Sequence, residues 1–434
     1  MHIIGTTSEG KSRFLQHLIQ GDIQQGNGLC LLDPSENGDT MYSVLRYCRK
    51  IGYEKVCVID PHLNLTGINP FNRHYKNASV ANIMDTVRIL FKTADDSDVP
   101  RIRRYLPALL RVLWESEMTL YDTLYFSDYE NPSYVARRRR IYERLAPLDA
   151  DLITLEGVFK TYSRWENYFA STVNRLDPFW HSKLGLMFGV KDGVQFDKLV
   201  TEKWVILVNL YAGLGFEPIH TRLLGTTIIN EILFAIDRLQ LHGWKGAYYL
   251  YIDEAGRYAN RNLAELLNKR KSGLRVTLAH QYFSQFEDRV VLDAVKQMPK
   301  IKVMFNTPSH VDRLEMVKAL GYGGEITPIM AQFANQDLPK QYAIIKSGKQ
   351  PPVRVKIPDV PDSGWTPTQK KEFINKINHP WIYTEADVRR EIADRFKGVN
   401  PVPSRSRKTS NSNAARKTTV WNVHRDNQTP AKND

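Results

Sequence analysis

Short runs of apolar residues alternate with stretches of helical periodicity along much of the chain. A run that is apolar at nearly every position is typical of a strand buried on both faces, and helices between such runs are typical of a parallel sheet. Runs of this kind occupy residues 28–33, 56–59, 204–210, 248–252, 274–280 and 301–305. The pattern therefore predicts an α/β fold whose sheet is mainly parallel.

Between residues 77 and 190 the apolar positions recur at helical spacing instead. Leu106, Leu109 and Leu113, for example, would share one face of a helix that Pro107 should kink. We interpret this segment as an all-helical domain inserted between strands of the sheet. The division that we predict is a core in two parts, 1–76 and 191–357, with a terminal hairpin, the insertion at 77–190, a helical extension at 358–397 and a disordered basic tail at 398–434.

A short β-branched strand at Ile3 and Ile4 runs directly into a glycine-rich segment, and a helix-periodic stretch follows. The segment reads Gly5-Thr6-Thr7-Ser8-Glu9-Gly10-Lys11-Ser12. It matches the phosphate loop G-x-x-x-x-G-K-[ST], in which the glycines let successive N–H groups point at phosphate oxygens. All these residues are therefore predicted to bind ATP. Lys11 should reach the β- and γ-phosphates, and the Ser12 hydroxyl should ligate Mg²⁺.

Two acids, Asp253 and Glu254, end the apolar run at 248–252. Together with a phosphate loop, such a pair predicts the second half of a nucleotide site. Asp253 would hold a water bound to Mg²⁺, and Glu254 would orient and polarise the water that attacks the γ-phosphate. A nucleotide kinase needs no acid like Glu254, because its acceptor is not water. Hydrolysis is therefore favoured over phosphoryl transfer.

Two further residues are candidates for contact with the γ-phosphate. Gln281 ends the next apolar run, where its amide could sense the γ-phosphate or hold the attacking water by donating and accepting at once. Arg270 lies on a helix predicted at 261–272, and an arginine there could stabilise the transition state across a subunit boundary. A helix C-terminus that is rich in basic residues because of the macrodipole explains Arg270 equally well.

Composition limits the setting and the partners. The net charge of +13 indicates a polyanionic partner. The three cysteines are isolated, and no apolar run approaches the ~18 residues that cross a bilayer. We therefore expect a cytoplasmic protein without a membrane segment of its own. The run Arg137–Arg140 in the insertion would either contact DNA phosphates or form a solvated helix surface.

The order of motifs along the chain resembles a known family. The motifs are the phosphate loop, Leu32-Asp33-Pro34, Gly67-Ile68-Asn69-Pro70-Phe71, the helical insertion, the strand at 205–210, the strand and acids at 249–254, the segment 270–274 and the segment 278–285. Over residues 1–357 this order resembles the motor domain of the HerA/FtsK superfamily, most closely the conjugative type IV coupling-protein (TraG/TraD-like) branch.

This resemblance implies a RecA-like P-loop NTPase core and a homo-hexameric ring that pumps DNA through a central channel. It implies that Lys11 and Ser12 bind nucleotide and Mg²⁺ and that Asp253 and Glu254 serve ATP hydrolysis. Gln281 would act as the strand-end sensor, and Arg270 would act on the nucleotide of the neighbouring subunit. Relaxase or secretion-channel proteins are candidate partners.

The sequence departs from the family pattern at its N-terminus. It carries neither the transmembrane helices of membrane-anchored coupling proteins nor the β-barrel usual in HerA-type proteins. We expect either a soluble motor-only member or a chain whose N-terminal part is lost or encoded separately. A HerA-like end-processing helicase and a genome-packaging ATPase are alternatives within the motor class. A nucleotide-switched docking platform for secretion cargo is the alternative outside it.

Overall fold

The structure of the chain is a computed structural model. It describes residues 1–6, 8–71, 79–81, 83–84, 86–87, 100–146, 149–213, 215–258, 263–264, 267, 273–320, 338–361, 364–377 and 380–397. Most of the helix predicted at 261–272 and all of the basic tail predicted at 398–434 lie outside the described residues.

The strands among these residues form one large sheet and one small one. The strands are β1 His2–Ile4, β2 Gly28–Asp33, β3 Val56–Ile59, β4 Leu65–Thr66, β5 Val205–Asn209, β6 Tyr248–Ile252, β7 Leu274–His280, β8 Ile301–Met304, β9 Tyr342–Ser347, β10 Val353–Lys356 and β11 Ile382–Tyr383. The large sheet has the order β10-β9-β8-β1-β7-β6-β2-β5-β3. The strands from β8 to β3 are parallel, whereas β9 and β10 form an antiparallel hairpin at one edge. The predicted α/β class with a mainly parallel sheet is confirmed.

Helices connect the strands and fill the insertion. The α-helices that lie wholly within the described ranges are α1 Lys11–Gln24, α2 Asp39–Lys50, α3 Pro100–Glu115, α4 Pro132–Tyr142, α5 Ala150–Val158, α6 Tyr162–Trp165, α7 Ser171–Asn174, α8 Lys183–Phe188, α9 Phe196–Thr201, α10 Pro218–Leu241, α11 Arg289–Gln297, α12 His310–Leu320, α13 Pro367–Lys376 and α14 Glu385–Asp394. Between β4 and β5, every regular element of the described residues is helical, as the fold prediction requires.

Hydrophobic cores cover both faces of the sheet. Successive side chains of a strand point to opposite faces. In β2, Leu29 and Leu31 join the core that contains Leu15 of α1, whereas Cys30 and Leu32 join the core that contains α10 and the insertion. Burial on both sides explains why this strand is apolar at successive positions instead of at alternate ones.

The helices of the insertion pack as their periodicity predicts. Leu106, Leu109 and Leu113 are fully buried along α3, and Pro107 lies inside this helix. These leucines belong to the same core as Cys30 of the sheet. The insertion and the sheet therefore share one continuous apolar interior.

The arginine run at residues 137–140 of the insertion is only partly exposed to solvent. Arg138 is 5% exposed, and its guanidinium donates to the carbonyl oxygens of Tyr125 (2.6 Å), Asp128 (2.6 Å) and Tyr129 (2.9 Å). Arg138 therefore binds the backbone of residues 125–129 inside the protein and is not a phosphate contact. The next two arginines of the run are exposed.

The C-terminal segment at 364–397 contacts both the sheet and the insertion. Phe373 of α13 joins the core on the α1 face of the sheet. Strand β11 pairs with β4, so the predicted helical extension also contains a strand. Just after α14, the buried Arg395 donates from Nη1 to the fully buried carboxylate of Asp122 in the insertion (2.6 Å).

None of the helices in the described ranges combines the length with the apolar character that a bilayer crossing needs. Cys30, Cys48 and Cys57 are buried free thiols, as their isolated positions in the sequence indicated.

Candidate functional site

Three neighbouring strands end at the edge of the sheet where the predicted site residues lie. β7 pairs in parallel with β1 on one side and with β6 on the other, and the register sets Ile4 opposite His280 and Ile252 opposite Leu278. The carboxyl ends of parallel strands are where α/β proteins bind ligands. The register therefore brings together the loop after β1, the acids after β6 and Gln281 after β7.

The glycine-rich loop leaves β1 in a conformation that needs both of its glycines. The Gly5 N–H donates to the His280 carbonyl oxygen (3.2 Å). A Cβ atom at Gly5 would lie 2.5 Å from Cβ of Phe305, so a larger residue does not fit. Gly10 has a φ angle of 111°, in the left-handed region that side chains rarely adopt.

The residues between the two glycines lead into α1. Thr6 donates its N–H to a carbonyl oxygen of the loop after β8 (3.1 Å), and Ser8 is exposed with a φ angle of 67°. The Glu9 carbonyl oxygen accepts from the N–H of Gln341 (3.1 Å). Thr7 lies outside the described residues.

The N-terminus of α1 fits a phosphate group. The helix begins at Lys11 with Gly10 as its cap residue. Glycine has no side chain that could accept from the first amides of the helix, so these N–H groups can donate to an anion. The positive end of the helix dipole adds to the attraction. The left-handed Gly10 and the first amides of α1 are therefore compatible with the phosphate binding that the sequence motif predicts.

The side chain of Lys11 links the loop to the acids. Lys11 is 5% exposed, and its Nζ lies 3.2 Å from Oε1 of Glu254 and 3.8 Å from Oδ1 of Asp253. A buried ammonium needs a countercharge, which the two carboxylates supply. Although Lys11 and Glu254 are 243 positions apart in the sequence, they form part of one charged cluster.

Asp253 is buried at the end of β6. Burial raises the pKa of its carboxyl to about 6, the charges of Glu254 and Asp33 add to the rise, and the Lys11 charge opposes it. Oδ1 of Asp253 accepts from the Glu254 N–H (2.9 Å). This carboxyl therefore titrates closer to neutrality than an ordinary aspartate does.

The predicted metal ligands are consistent with a magnesium ion shared with phosphates. Ser12 is half-buried in the first turn of α1, on the helix that begins with Lys11. Within the described part of the chain, no three His, Cys, Asp or Glu side chains cluster so that they could hold a metal by themselves. Mg²⁺ commonly takes only one or two protein ligands and completes its shell with water and substrate phosphates. A serine hydroxyl and one carboxylate therefore suit it.

Glu254 is held by several donors. It lies just after β6 with a φ angle of 49°. Its Oε1 accepts from Lys11 Nζ (3.2 Å) and Gln281 Nε2 (2.7 Å), and its Oε2 accepts from Gln285 Nε2 (3.0 Å). Burial alone would raise the pKa of the Glu254 carboxyl, but the Lys11 charge and these hydrogen bonds outweigh it and lower the pKa below its ordinary value. Glu254 is therefore ionised at neutral pH.

Gln285 is a residue of this cluster that the sequence analysis missed. Its Oε1 accepts from the N–H groups of Gln281 (2.9 Å) and Tyr282 (3.3 Å), while its Nε2 donates to Glu254. A short 3₁₀ turn at Phe283–Gln285 folds the side chain back towards β7. Gln285 stood in the motif segment 278–285, but sequence spacing alone does not reveal this reversal.

The structure brings most of the predicted catalytic residues into contact. Lys11, Glu254 and Gln281 meet in one hydrogen-bonded group, with Asp253 beside them. Arg270 lies outside the described residues, so its role stays a prediction.

Several solved structures are similar to this chain. The bacterial conjugative coupling protein TrwBdeltaN70, in an unbound form, is 18% identical over 82% of this chain and 84% of that chain, with a TM-score of 0.54. The plasmid coupling protein TrwB in complex with ADP and Mg²⁺ is 18% identical over 84% and 86%, with a TM-score of 0.55. VirB4 of Thermoanaerobacter pseudethanolicus is 15% identical over 83% and 89%, with a TM-score of 0.53. No protein-family model and no curated protein matches the chain.

The chain shares the fold of TrwB and VirB4. The resemblance to the coupling-protein branch, inferred from the order of motifs, is therefore confirmed at the level of the fold. The RecA-like P-loop core predicted for residues on both sides of the insertion is confirmed with it.

Exchanging Gln285 for glutamate should raise the pKa of Glu254. The substitution Gln285→Glu keeps an oxygen for the two backbone N–H groups but replaces the donor to Glu254 with a second carboxylate. Like charges at hydrogen-bonding distance raise the pKa, here by about one unit or more. The measurement is the ¹³C shift of glutamate-labelled protein against pH, with Glu254 assigned through Glu254→Gln. Ser284→Glu, which adds the same charge at an exposed neighbour, should leave the pKa unchanged; equal shifts in both variants would contradict the contact.

Replacing Asp253 with asparagine should stabilise the nucleotide-free protein above about pH 6. The pKa of Asp253 rises from 3.8 in the unfolded chain to about 6 in the folded protein. The folded protein therefore favours the protonated carboxyl. The resulting contribution to the free energy of unfolding is fully present below the unfolded pKa and is lost as pH rises through the folded pKa. Asp253→Asn does not suffer this loss. The gain, roughly 1–3 kcal/mol, should appear as a higher Tm at about pH 8 and vanish near about pH 4.

Asp293→Asn, at an exposed position on α11, is the matched control for the loss of one carboxylate. A Tm difference for Asp253→Asn that does not change with pH would show that ionisation of Asp253 is not its origin.

Proposed function

We propose that the chain binds ATP and Mg²⁺ at this site and hydrolyses ATP as a motor of the conjugative or type IV secretion kind. The observation that carries the proposal is the convergence of Lys11, Asp253 and Glu254, a loop lysine and two strand-end acids, in one buried cluster. The fold shared with TrwB, a coupling protein solved with ADP and Mg²⁺, supports the same assignment.

Glu254 is the proposed general base. Because its pKa is lowered, its carboxylate is ionised at neutral pH and can accept a proton from a water molecule beside the γ-phosphate. Gln281 and Gln285 each hold one oxygen of this carboxylate, which fixes the direction in which it accepts. Lys11 contacts Glu254, and its ammonium would turn to the β- and γ-phosphates of a bound nucleotide.

Ser12 and Asp253 would hold Mg²⁺, the first through its hydroxyl and the second through a bound water. The ion would neutralise charge on the phosphate oxygens during transfer. With a pKa of about 6, the Asp253 carboxyl is largely ionised at neutral pH, and a nearby cation favours that form further. The amides of residues 5–12 would cradle the phosphates, as the left-handed Gly10 allows.

The finer proposal is a six-membered ring that moves DNA. ATP would lie at a subunit boundary, where Arg270 of the neighbouring copy would complete the site. The net charge of +13 favours contact with a phosphate backbone. In a conjugative or secretion setting, relaxase or secretion-channel proteins would be the partners.

Two substitutions separate nucleotide binding from hydrolysis. Lys11→Ala should weaken ATP binding roughly ten- to a hundredfold, because a charge-assisted hydrogen bond to phosphate is lost. Glu254→Gln should keep the Kd for ATP within about threefold but lower kcat roughly 10²- to 10⁴-fold, because the base is gone. Calorimetric titration and phosphate release measure the two effects. Lys50→Ala, at an exposed position on α2, is the control for loss of a lysine.

Substantial ATP hydrolysis by Glu254→Gln would remove Glu254 from the role of base. Unchanged ATP binding by Lys11→Ala would remove the phosphate loop from the nucleotide site.

The motor proposal predicts that DNA stimulates hydrolysis and that salt abolishes the stimulation. A protein that contacts several phosphates releases their counterions, so its affinity for DNA falls steeply between about 50 and 200 mM salt. ATPase rates with single- and double-stranded DNA over this range, together with displacement of a protein roadblock, measure the effect. ATP hydrolysis that is indifferent to DNA, with cargo binding that depends on nucleotide, would favour the docking platform instead.

A further inference from the structure

Two buried histidines lie directly beneath the phosphate loop, outside the cluster described above. His2 belongs to β1 and His280 ends β7, and both are fully buried. Their Nε2 atoms are 2.7 Å apart, within hydrogen-bonding distance. The rings of Phe283 and Phe286 pack against His280, with centroid distances of 5.4 and 4.9 Å. Two phenyl rings therefore cover the His280 side of this buried pair.

The hydrogen bonds determine which ring nitrogens carry protons. Nδ1 of His280 lies 3.1 Å from the carbonyl oxygen of Tyr282, which can only accept, so this Nδ1 carries a proton. In a neutral ring, Nε2 of His280 is then an acceptor, and the proton between the two rings belongs to His2. Nδ1 of His2 is left bare, and in the described part of the chain it is a buried nitrogen without a hydrogen-bond partner.

The surroundings keep both rings neutral. Burial lowers the pKa of His2 far below its ordinary value, and the neighbouring ring of His280 adds to the effect. Burial lowers the pKa of His280 to about 3, although the hydrogen bond to the Tyr282 carbonyl oxygen acts to raise this pKa. The charged groups that act on the pair are Lys11, Lys296, Lys302, Glu254 and the N-terminal ammonium group of Met1. Protonation of His2 at Nδ1 would leave the bond between the two Nε2 atoms in place, and only protonation of both rings would set two N–H donors face to face. Burial disfavours both changes.

The pair joins the two strands that frame the nucleotide site. The backbone carbonyl oxygen of His280 accepts from the N–H of Gly5, the first residue of the phosphate loop. The Nδ1–H of the His280 ring donates to the carbonyl oxygen of Tyr282. The N–H groups of Gln281 and Tyr282 in turn bind the side-chain amide of Gln285. That amide holds the proposed base. A chain of hydrogen bonds therefore runs from His2 to the turn that carries both glutamines.

We propose that His2 and His280 are positioning residues, which fix the turn at 281–285 so that Gln281 and Gln285 hold Glu254 in the geometry needed for hydrolysis. The inference rests on the proposed function, because that function gives the two amides their task. His2 anchors the His280 ring to β1, and His280 in turn fixes the Tyr282 carbonyl group. In this role, neither histidine acts on the nucleotide directly.

The first test reads the hydrogen bond itself and needs no catalysis. In protein labelled with ¹⁵N-histidine, His2 should have a protonated Nε2 and a bare Nδ1, whereas His280 should have a protonated Nδ1 and an accepting Nε2. A scalar coupling between the two Nε2 nitrogens should be visible across the hydrogen bond. The signals are assigned through His2→Phe and His280→Phe. The same tautomer in both rings, or no coupling, would overturn the inference.

The second test separates positioning from stability. His280→Phe removes both ring bonds and should lower kcat roughly ten- to a hundredfold, the cost of a small misplacement of catalytic groups, while the Kd for ATP stays within about threefold. His280→Asn should retain more of kcat than His280→Phe, because the asparagine amide can still donate to Tyr282. Its Tm should nevertheless fall at least as far, since the shorter side chain leaves a cavity.

His2→Phe removes only the hydrogen bond between the two histidine rings and leaves the His280 bond to Tyr282 in place. Its loss of kcat should therefore be smaller than that of His280→Phe. His310→Phe, at an exposed position of α12, is the matched control and should keep full activity. If kcat follows Tm across all variants, or if His280→Phe keeps its kcat, the positioning role is overturned. If the unaltered chain hydrolyses no ATP, the proposed function itself fails, and the NMR result still reports on the hydrogen bond.

Discussion

One buried ammonium group allows two carboxylates to occupy the same end of the sheet. Without a cation, Asp253 and Glu254 would stand side by side in a poorly solvated place, where like charges cannot both remain ionised. Lys11 supplies that cation from the first residue of α1, at 3.2 Å from one acid and 3.8 Å from the other. The electrostatic requirement therefore fixes the start of α1 relative to the end of β6, and the proposed nucleotide site is built around this relation.

Strand β7 makes the relation possible because it lies between β1 and β6. The carbonyl oxygen of its last residue, His280, accepts from the Gly5 N–H. The next residue, Gln281, donates from its side chain to Glu254. The carboxyl end of β7 therefore connects the phosphate loop to the acidic cluster through hydrogen bonds on both of its sides.

The sequence predicted the parts of the site that are local. The phosphate loop is contiguous, and Asp253, Glu254 and Gln281 each directly follow an apolar run, so motif and periodicity find them. Gln285 and the pair of His2 with His280 depend on a tight turn and on a strand order that links the first strand to a distant one. No window of sequence contains that information.

The same limit applies to the fold. The alternation of apolar runs and helices predicts the parallel sheet, because strands such as β2, β3 and β5 are buried at every position and are therefore apolar at nearly every position. Strands β4 and β11 span two residues each, too short for any period to be visible. Arg138 belongs to a run for which the sequence predicts either a solvated surface or contact with DNA phosphates, but three backbone carbonyl oxygens of one neighbouring segment hold its guanidinium inside the protein.

The buried contact of Arg395 with Asp122 has a consequence for the integrity of the whole chain. Asp122 also accepts from the N–H and the hydroxyl of Thr119. Among the described residues, the cation paired with it is Arg395, which lies 273 positions later in the sequence. A ribosome that has made only the insertion has made a carboxylate whose countercharge does not yet exist. Maturation of the helical domain is therefore tied to completion of the C-terminal helix. A prematurely terminated product would lack more than its last residues, because the buried carboxylate of Asp122 in the insertion would have lost this cation.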